Sequence, residues 1–222
     1  MHHHDSSAEA AAVVEDIVAA GCKAAAVRAD LADEAAAGGL VDAAVRAVGP
    51  LTCLINNASV FEDDRAETAT QASWDRHMAV NLRAPFVLAQ AFCRQLPAGQ
   101  PGNIINLIDQ RVWNLTPMFM SYTLSKAGLW TLTQTLAMAL APQVRVNAIG
   151  PGPVLPSVRQ TPENFHRQWL TAPLARQVEL PEICEAVRFL LAASSVTGQM
   201  IAVDAGQHLG WTRAAAALAP RE

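Results

Sequence analysis

Aromatic side chains are scarce in this chain of 222 residues, at 5%, and charge is low, at 16% with a net of −4. So few aromatics argue against a base-stacking surface, and a weakly acidic balance gives no electrostatic attraction to nucleic acid or to an anionic membrane. No apolar run approaches the ~20 residues that cross a bilayer. No signal peptide is visible at the start, so a cytoplasmic protein is expected. Cys22, Cys53, Cys93 and Cys184 lie far apart without a Cys-x-x-Cys pair. That spacing indicates neither a zinc site nor a disulfide framework and leaves reduced, mostly buried thiols. The histidines show no metal-ligand spacing outside His2-His3-His4, and no metal site is expected. What is present is 51% hydrophobic, enough for one large α/β domain with a real core.

Apolar runs alternate with helical patterns along the whole chain. Helices are expected over Ser6 to Ala20, Asp33 to Val48, Gln71 to Gln95 with a kink at Pro85, from Phe119 onward, around Glu163 to Leu170, and over Pro181 to Leu191. Strands are expected at Lys23 to Ala29, Leu51 to Ile55, Ile104 to Ile108, Val144 to Ile149 and Met200 to Val203. The alanine-rich tail from Arg213 has no periodic signal and is expected to fray. This order implies a doubly wound, mostly parallel α/β sheet covered on both faces, in one domain over residues 1–222.

The chemistry concentrates between Asn106 and Lys126. Asp109 ends one strand, and Tyr122 and Lys126 follow on the next helix, four residues apart and therefore on one face. Acid, phenol and ammonium converge at the carboxyl edge of the sheet, where open α/β folds place their ligands. A free phenol, with a pKa of about 10, is a poor acid-base group near neutrality, and a neighbouring ammonium lowers that value. Such a trio suits proton delivery from Tyr122 coupled to hydride transfer from a reduced nicotinamide. Tyr-x-x-x-Lys alone is equally an ordinary helix-surface pair.

Read together, several motifs resemble the short-chain dehydrogenase/reductase family. They are Asp30-Leu31 after a strand, Asn56-Asn57-Ala58 after the next, Asn81 within Val80-Asn81-Leu82, Tyr122-x-x-x-Lys126, Pro151-Gly152, and Thr197-Gly198 leading to Asp204. The resemblance implies a Rossmann-like fold and an NAD(P)H-dependent oxidoreductase. It implies that Asp30 and Leu31 meet the adenine and that Asn57 and Ala58 support the cofactor. Pro151 and Gly152 would border the cofactor, Lys126 would hold the nicotinamide ribose, and Asn81 would hold a water in a proton relay to Lys126. It also implies a homodimer or homotetramer, with Gln199 to Gly210 supporting the contact.

One departure points to a branch. The family usually has serine where this chain has Asp109, 122 − 109 = 13 positions before the tyrosine. The pteridine reductases are similar in having aspartate there, and in an Asn57-Ala58-Ser59-Val60-Phe61 segment. That similarity implies a substrate pocket of Ser59, Phe61, Asp109 and Tyr122, with Phe61 stacked on a pterin ring. A flat heteroaromatic ring gains from such a partner, and a carboxyl group can bond ring nitrogens and the Tyr122 hydroxyl. On the other reading, Asp109 replaces serine in a carbonyl or 3-oxoacyl reductase and Phe61 is a pocket wall.

The N-terminus also resembles that branch. His2-His3-His4 reads either as a shortened purification tag or, since the register continues into Ser6 and Glu9, as native; on the native reading His4 and Ser6 match residues that read the 2′-phosphate of NADP. NADP(H) is therefore expected ahead of NAD(H), although Asp5 stands where an arginine would hold the phosphate. The Gly-rich turn that approaches a dinucleotide pyrophosphate is not found before Asp30. A segment of about 30 to 40 residues, one strand-helix unit, is therefore expected to precede Met1, and dinucleotide binding without it is expected to be poor. Failing such a segment, the chain reads as a cofactor-free pseudoenzyme acting through its oligomer interface. Residues 153–173, proline-rich with Phe165 and Trp169, read as a substrate lid or equally as a static surface excursion.

Overall fold

The computed structural model describes residues 1–210. Strands alternate with helices, and every strand pairing is parallel. A short ribbon joins β1 (His2–His3) to β2 (Val27–Arg28). A four-stranded sheet runs β3 (Cys53–Asn56), β4 (Gly102–Leu107), β5 (Val144–Pro151), β6 (Met200–Val203) in that order. Between them in sequence lie α1 (Ser7–Ala19), α2 (Glu34–Val48), α3 (Gln71–Met78), α4 (Ala84–Gln95), α5 (Met120–Ala139), α6 (Pro162–Leu170) and α7 (Leu180–Ala192). Among the described residues no helix is long and apolar enough to cross a membrane.

The central strand shows why both sheet faces are covered. Side chains alternate along β4, so Ile104 packs with Phe92, Leu136 and Val146 on one face, while Ile105 and Leu107 pack with Ile149 and Leu190 on the other. A strand buried on both sides cannot alternate apolar with polar residues, and β4 is buried at every position. Of its two amides, Asn106 is fully paired, while Asn103 donates from Nδ2 to the Leu190 carbonyl at 3.2 Å and leaves its Oδ1 without a partner. Asn56 Nδ2 donates to Asn106 Oδ1 at 2.8 Å, and Asn106 Nδ2 donates to Thr133 Oγ1 at 2.9 Å, tying β3 through β4 to α5.

Local chemistry sets the element ends. Asp33 caps α2 by accepting from the Ala35 and Ala36 backbones, and Gly49 stops that helix at φ 96°, a conformation that favours glycine. Thr70 and Ser73 form a reciprocal capping box on α3. The segment expected as one helix over Gln71 to Gln95 is interrupted, but not at Pro85. Pro85 sits in the first turn of α4, where its missing N–H is no loss. The break is a π turn at Ala79–Arg83 that contains Asn81. The strand expected over Lys23 to Ala29 contracts to Val27–Arg28, because its one ladder partner among the described residues, β1, is two residues long. The tail from Arg213 lies outside the described residues.

Candidate active site

Because the strands of the larger sheet are parallel, their carboxyl ends share one edge, and the predicted catalytic residues gather there. β4 delivers Asp109, which precedes a 3-10 turn at Gln110–Val112. From the first turn of α5, Tyr122 Oη donates to Asp109 Oδ2 at 2.9 Å. The other carboxylate oxygen, Oδ1, accepts the Arg111 backbone N–H at 2.8 Å, which fixes the carboxylate's orientation. One turn further along α5, Lys126 Nζ donates to the Leu107 carbonyl at 2.8 Å and lies 5.8 Å from the Tyr122 ring centroid. Both Tyr122 and Lys126 are buried.

The electrostatics correct one expectation. Burial, then the negative charge and hydrogen bond of Asp109, push the Tyr122 phenol well above its ordinary value, with Arg111 opposing. The proximity of Lys126 was expected to lower that phenol, yet the ammonium faces the ring and the Leu107 carbonyl while the hydroxyl faces a carboxylate. Burial pulls Lys126 itself down to about 8, with the Asp109 charge opposing. Tyr122 is thus held protonated, as a proton donor must be.

Asn81 is fully buried in the π turn, and its side chain is committed to protein partners. Oδ1 accepts from the Val60 N–H at 2.8 Å and from Ser59 Oγ at 3.2 Å. Nδ2 donates to the Val60 carbonyl at 2.9 Å and to Ser125 Oγ at 3.0 Å. Ser125 Oγ in turn donates to the Tyr122 carbonyl at 2.7 Å. The side chain thus clamps the 59–60 loop to α5.

Two hollows flank this centre. On one side a cavity of about 530 Å³ is bordered by His4, Asp30, Leu31, Ala58, Ser59 and Val60. His4, Asp30, Leu31 and Ala58 are residues expected to meet the cofactor, and Ser59, expected in the substrate pocket, borders this side. His4 lies between carboxylates, with Nδ1 3.1 Å from Asp5 and Nε2 3.7 Å from Asp30. Ser6 precedes α1 as its cap residue without a side-chain capping bond. Leu31 is buried and Asp30 and Asn57 are exposed, so the wall offers an apolar patch beside polar groups, as an adenosine requires. These residues fit that end of a dinucleotide.

On the other side a cavity of about 520 Å³ is bordered by Phe61, Asp109, Arg111, Phe119, Gly152 and Arg159, among others. Phe61 meets Tyr122 edge-on, centroids 4.6 Å apart, and stacks on Phe119 at 4.4 Å and 13°. Phe119 holds φ 57°, in the left-handed region where a bulky side chain is strained. Pro151 ends β5, and Gly152 follows where a Cβ would come within 2.6 Å of the Asp204 Cα, so only glycine lets these backbones approach. Of the 153–173 segment, Arg159 reaches back to donate to the Phe61 carbonyl at 2.8 Å, while Phe165 is buried.

Four contributors were missed. Arg111 and Arg159 flank the aromatic pair, but neither carries a periodic or motif signal. Phe119 was noticed only as the start of a helix. Asp64 anchors the beginning of α5, accepting from the Ser121 N–H at 2.9 Å and from Ser73 Oγ at 2.9 Å. A carboxylate on a helix's first turn is favoured, but its position 121 − 64 = 57 residues before Ser121 left no local trace.

Known proteins extend this picture. Residues 2–208 match the family model described as enoyl-(acyl carrier protein) reductase. The crystal structure of FolM alternative dihydrofolate reductase 1 from Brucella canis, complexed with NADP, is similar at a TM-score of 0.92 and 50% identity, over 95% of this chain and 83% of that one. The 3-oxoacyl-[acyl-carrier-protein] reductase FabG of Staphylococcus aureus is 31% identical over 214 residues, 94% of this chain and 87% of that protein. Galactitol 2-dehydrogenase (L-tagatose-forming) of Cereibacter sphaeroides is 36% identical over 173 residues, 74% of this chain and 68% of that protein.

Proposed function

The chain belongs to the short-chain dehydrogenase/reductase family, and we propose that it reduces a pterin or dihydrofolate-like ring, with hydride from NADPH and a proton from Tyr122. NADPH, when bound, supplies the hydride. The protein's own residues supply the proton, the orientation and the ring platform. Tyr122, kept protonated by burial and by Asp109, donates its proton to the reduced ring. Asp109 holds the phenol in place through the 2.9 Å bond and can pair with ring N–H groups of the substrate. Lys126 brings a positive charge beneath the Tyr122 ring and is the candidate to hold the nicotinamide ribose. Phe61 gives a flat ring its stacking surface.

The observation that carries this reading is the Tyr122–Asp109 hydrogen bond beside Phe61. A ketone's carbonyl needs only the phenol's proton and has little use for the carboxylate. The 50% identity to an alternative dihydrofolate reductase complexed with NADP supports both the ring and the cofactor. A carbonyl or 3-oxoacyl reductase on the same scaffold is the second reading, favoured by the FabG and galactitol dehydrogenase relatives at 31% and 36%. An intact Tyr122, Lys126, Asp109 and Asn81 set speaks against a cofactor-free pseudoenzyme. The experiment is to follow NADPH consumption with a dihydropterin, dihydrofolate, and a panel of ketones and 3-oxoacyl thioesters. Turnover of dihydropterin or dihydrofolate is expected, and turnover of ketones alone would refute the pterin assignment.

A further inference from the structure

Two guanidinium groups border the substrate-side hollow that the chemistry of Tyr122 and Asp109 does not employ. Arg111 lies 5.1 Å from the Phe119 ring centroid; Arg159 lies 5.1 Å from that of Phe61 and 5.5 Å from that of Phe119. Both therefore sit against the aromatic stack, and both border the same cavity of about 520 Å³. Several other arginines face carboxylates, as Arg83 does Glu34, Arg176 does Glu182 and Arg188 does Glu185, while Arg145 bonds only the Val196 and Leu191 carbonyls at the far end of β5. Among the described residues neither Arg111 nor Arg159 has a carboxylate within 4.0 Å.

Their existing bonds are to neutral groups. Arg111 Nη1 donates to Thr116 Oγ1 at 2.5 Å, and Arg159 Nη2 donates to the Phe61 carbonyl at 2.8 Å. Arg111 Nε is buried without any hydrogen-bond partner, an arrangement that is costly for a charged donor unless something completes it. The two carboxylates on the same wall are engaged elsewhere. Asp109 serves Tyr122 and the Arg111 backbone, and Asp63 faces Arg65 at 4.0 Å. A partly buried Arg111 and an exposed Arg159 beside a ring platform suit a planar ring carrying an anion, since the fork of N–H donors matches a carboxylate or a phosphate.

We infer that Arg111 and Arg159 are specificity-determining residues that bind an anionic tail on the substrate, so that the preferred ring carries a carboxylate or phosphate substituent and not a neutral side chain. This inference rests on the pterin reading above and narrows it to a tailed ring, of which dihydrofolate with its glutamyl carboxylates is the available example. Arg159 stands on the 153–173 segment, so an anion held between it and Arg111 also ties that segment to the ring platform. A bland alternative is that Arg159 only straps the segment to Phe61.

The test compares three probes on the intact protein with NADPH: dihydrofolate, dihydrobiopterin with its neutral side chain, and a phosphorylated dihydropterin. Arg159→Gln keeps a donor for the Phe61 carbonyl and removes the charge; Arg111→Met is the second variant. The expected result is a KM for dihydrofolate, the phosphorylated probe or both that rises in Arg159→Gln at least tenfold more than the KM for dihydrobiopterin. The same tailed probe should show a wild-type KM that climbs with ionic strength. The two tailed probes tell carboxylate from phosphate. Equal changes for all three probes in both variants identify a structural strap and overturn the inference while leaving the pterin reading intact. No turnover of any of the three by the wild-type protein removes the pterin reading, and the inference with it.

Discussion

Tyr122 Oη donates to Asp109 Oδ2 at 2.9 Å, while Lys126 Nζ, four residues along the same helix, donates to the Leu107 carbonyl. The phenol's hydrogen-bond partner is therefore the carboxylate. A carboxylate acceptor stabilises the protonated phenol, and burial acts in the same direction. The pair keeps the phenol protonated, which the proposed proton-donating role needs.

Replacing that donor isolates its contribution. Tyr122→Phe removes one oxygen from a buried ring whose edge-on contact with Phe61 is otherwise preserved. Turnover should fall at least a hundredfold, on the usual scale of general acid catalysis (roughly 10²–10⁴). NADPH affinity, measured by fluorescence titration, should change little. Turnover near the wild-type rate would remove Tyr122 from the proton-donating role.

The two buried groups titrate in opposite senses. Lys126, at about 8 in the folded protein against 10.5, carries its charge only below about pH 8. If that charge positions the cofactor, kcat/KM should decline as pH rises through about 8. The linkage has the reverse sign for stability: between about 8 and 10.5 the unfolded chain holds a proton the folded chain has lost, so this group's share of stability increases with pH across that window. Tyr122, raised well above 10.0, keeps its proton when the unfolded chain loses it, and its share falls above pH 10. As the chain's sole tyrosine, Tyr122 can be followed directly by phenolate absorbance. Phenolate appearing in the folded protein below pH 10 would contradict the assigned environment.

Asn81 offers a test of the clamp. Asn81→Ala would leave the Val60 N–H and carbonyl without their side-chain partners and would open space in the π turn. Leaving such groups unpaired costs about 1–3 kcal/mol each, and a loss of about 2–4 kcal/mol in urea unfolding is expected. Activity should drop with it, because the 59–60 loop carries Phe61 into place. A variant as stable as the wild type would show that water or a shifted loop replaces the clamp.

Much of this site was legible before any coordinates. Asp109, Tyr122 and Lys126 were readable because strand end, helix face and four-residue spacing are local properties. The β4 run Ile104-Ile105-Asn106-Leu107 was readable because a strand buried on both faces has no polar alternation. What escaped depends on distance and depth. The depth of Tyr122 decides the direction of its shift, and burial is set by Phe61, Asp109 and the sheet edge together. The hollow that Ser59 borders was not legible because the side on which a loop presents a hydroxyl follows from the Asn81 clamp, 81 − 59 = 22 residues away. Arg159 was missed because a proline-punctuated connection has no period to say which of its residues folds back on Phe61. Phe119 looked like an ordinary helix start; its left-handed backbone follows from the stack it joins.

The most direct test of the central claim is Asp109→Ser, which restores the residue usual in the wider family while sparing Tyr122 and Lys126. Measured with NADPH against a dihydropterin and against a ketone, kcat/KM for the dihydropterin is expected to fall at least a hundredfold, with the ratio of ketone to dihydropterin turnover rising. An unchanged dihydropterin rate in that variant would contradict the role given to the carboxylate.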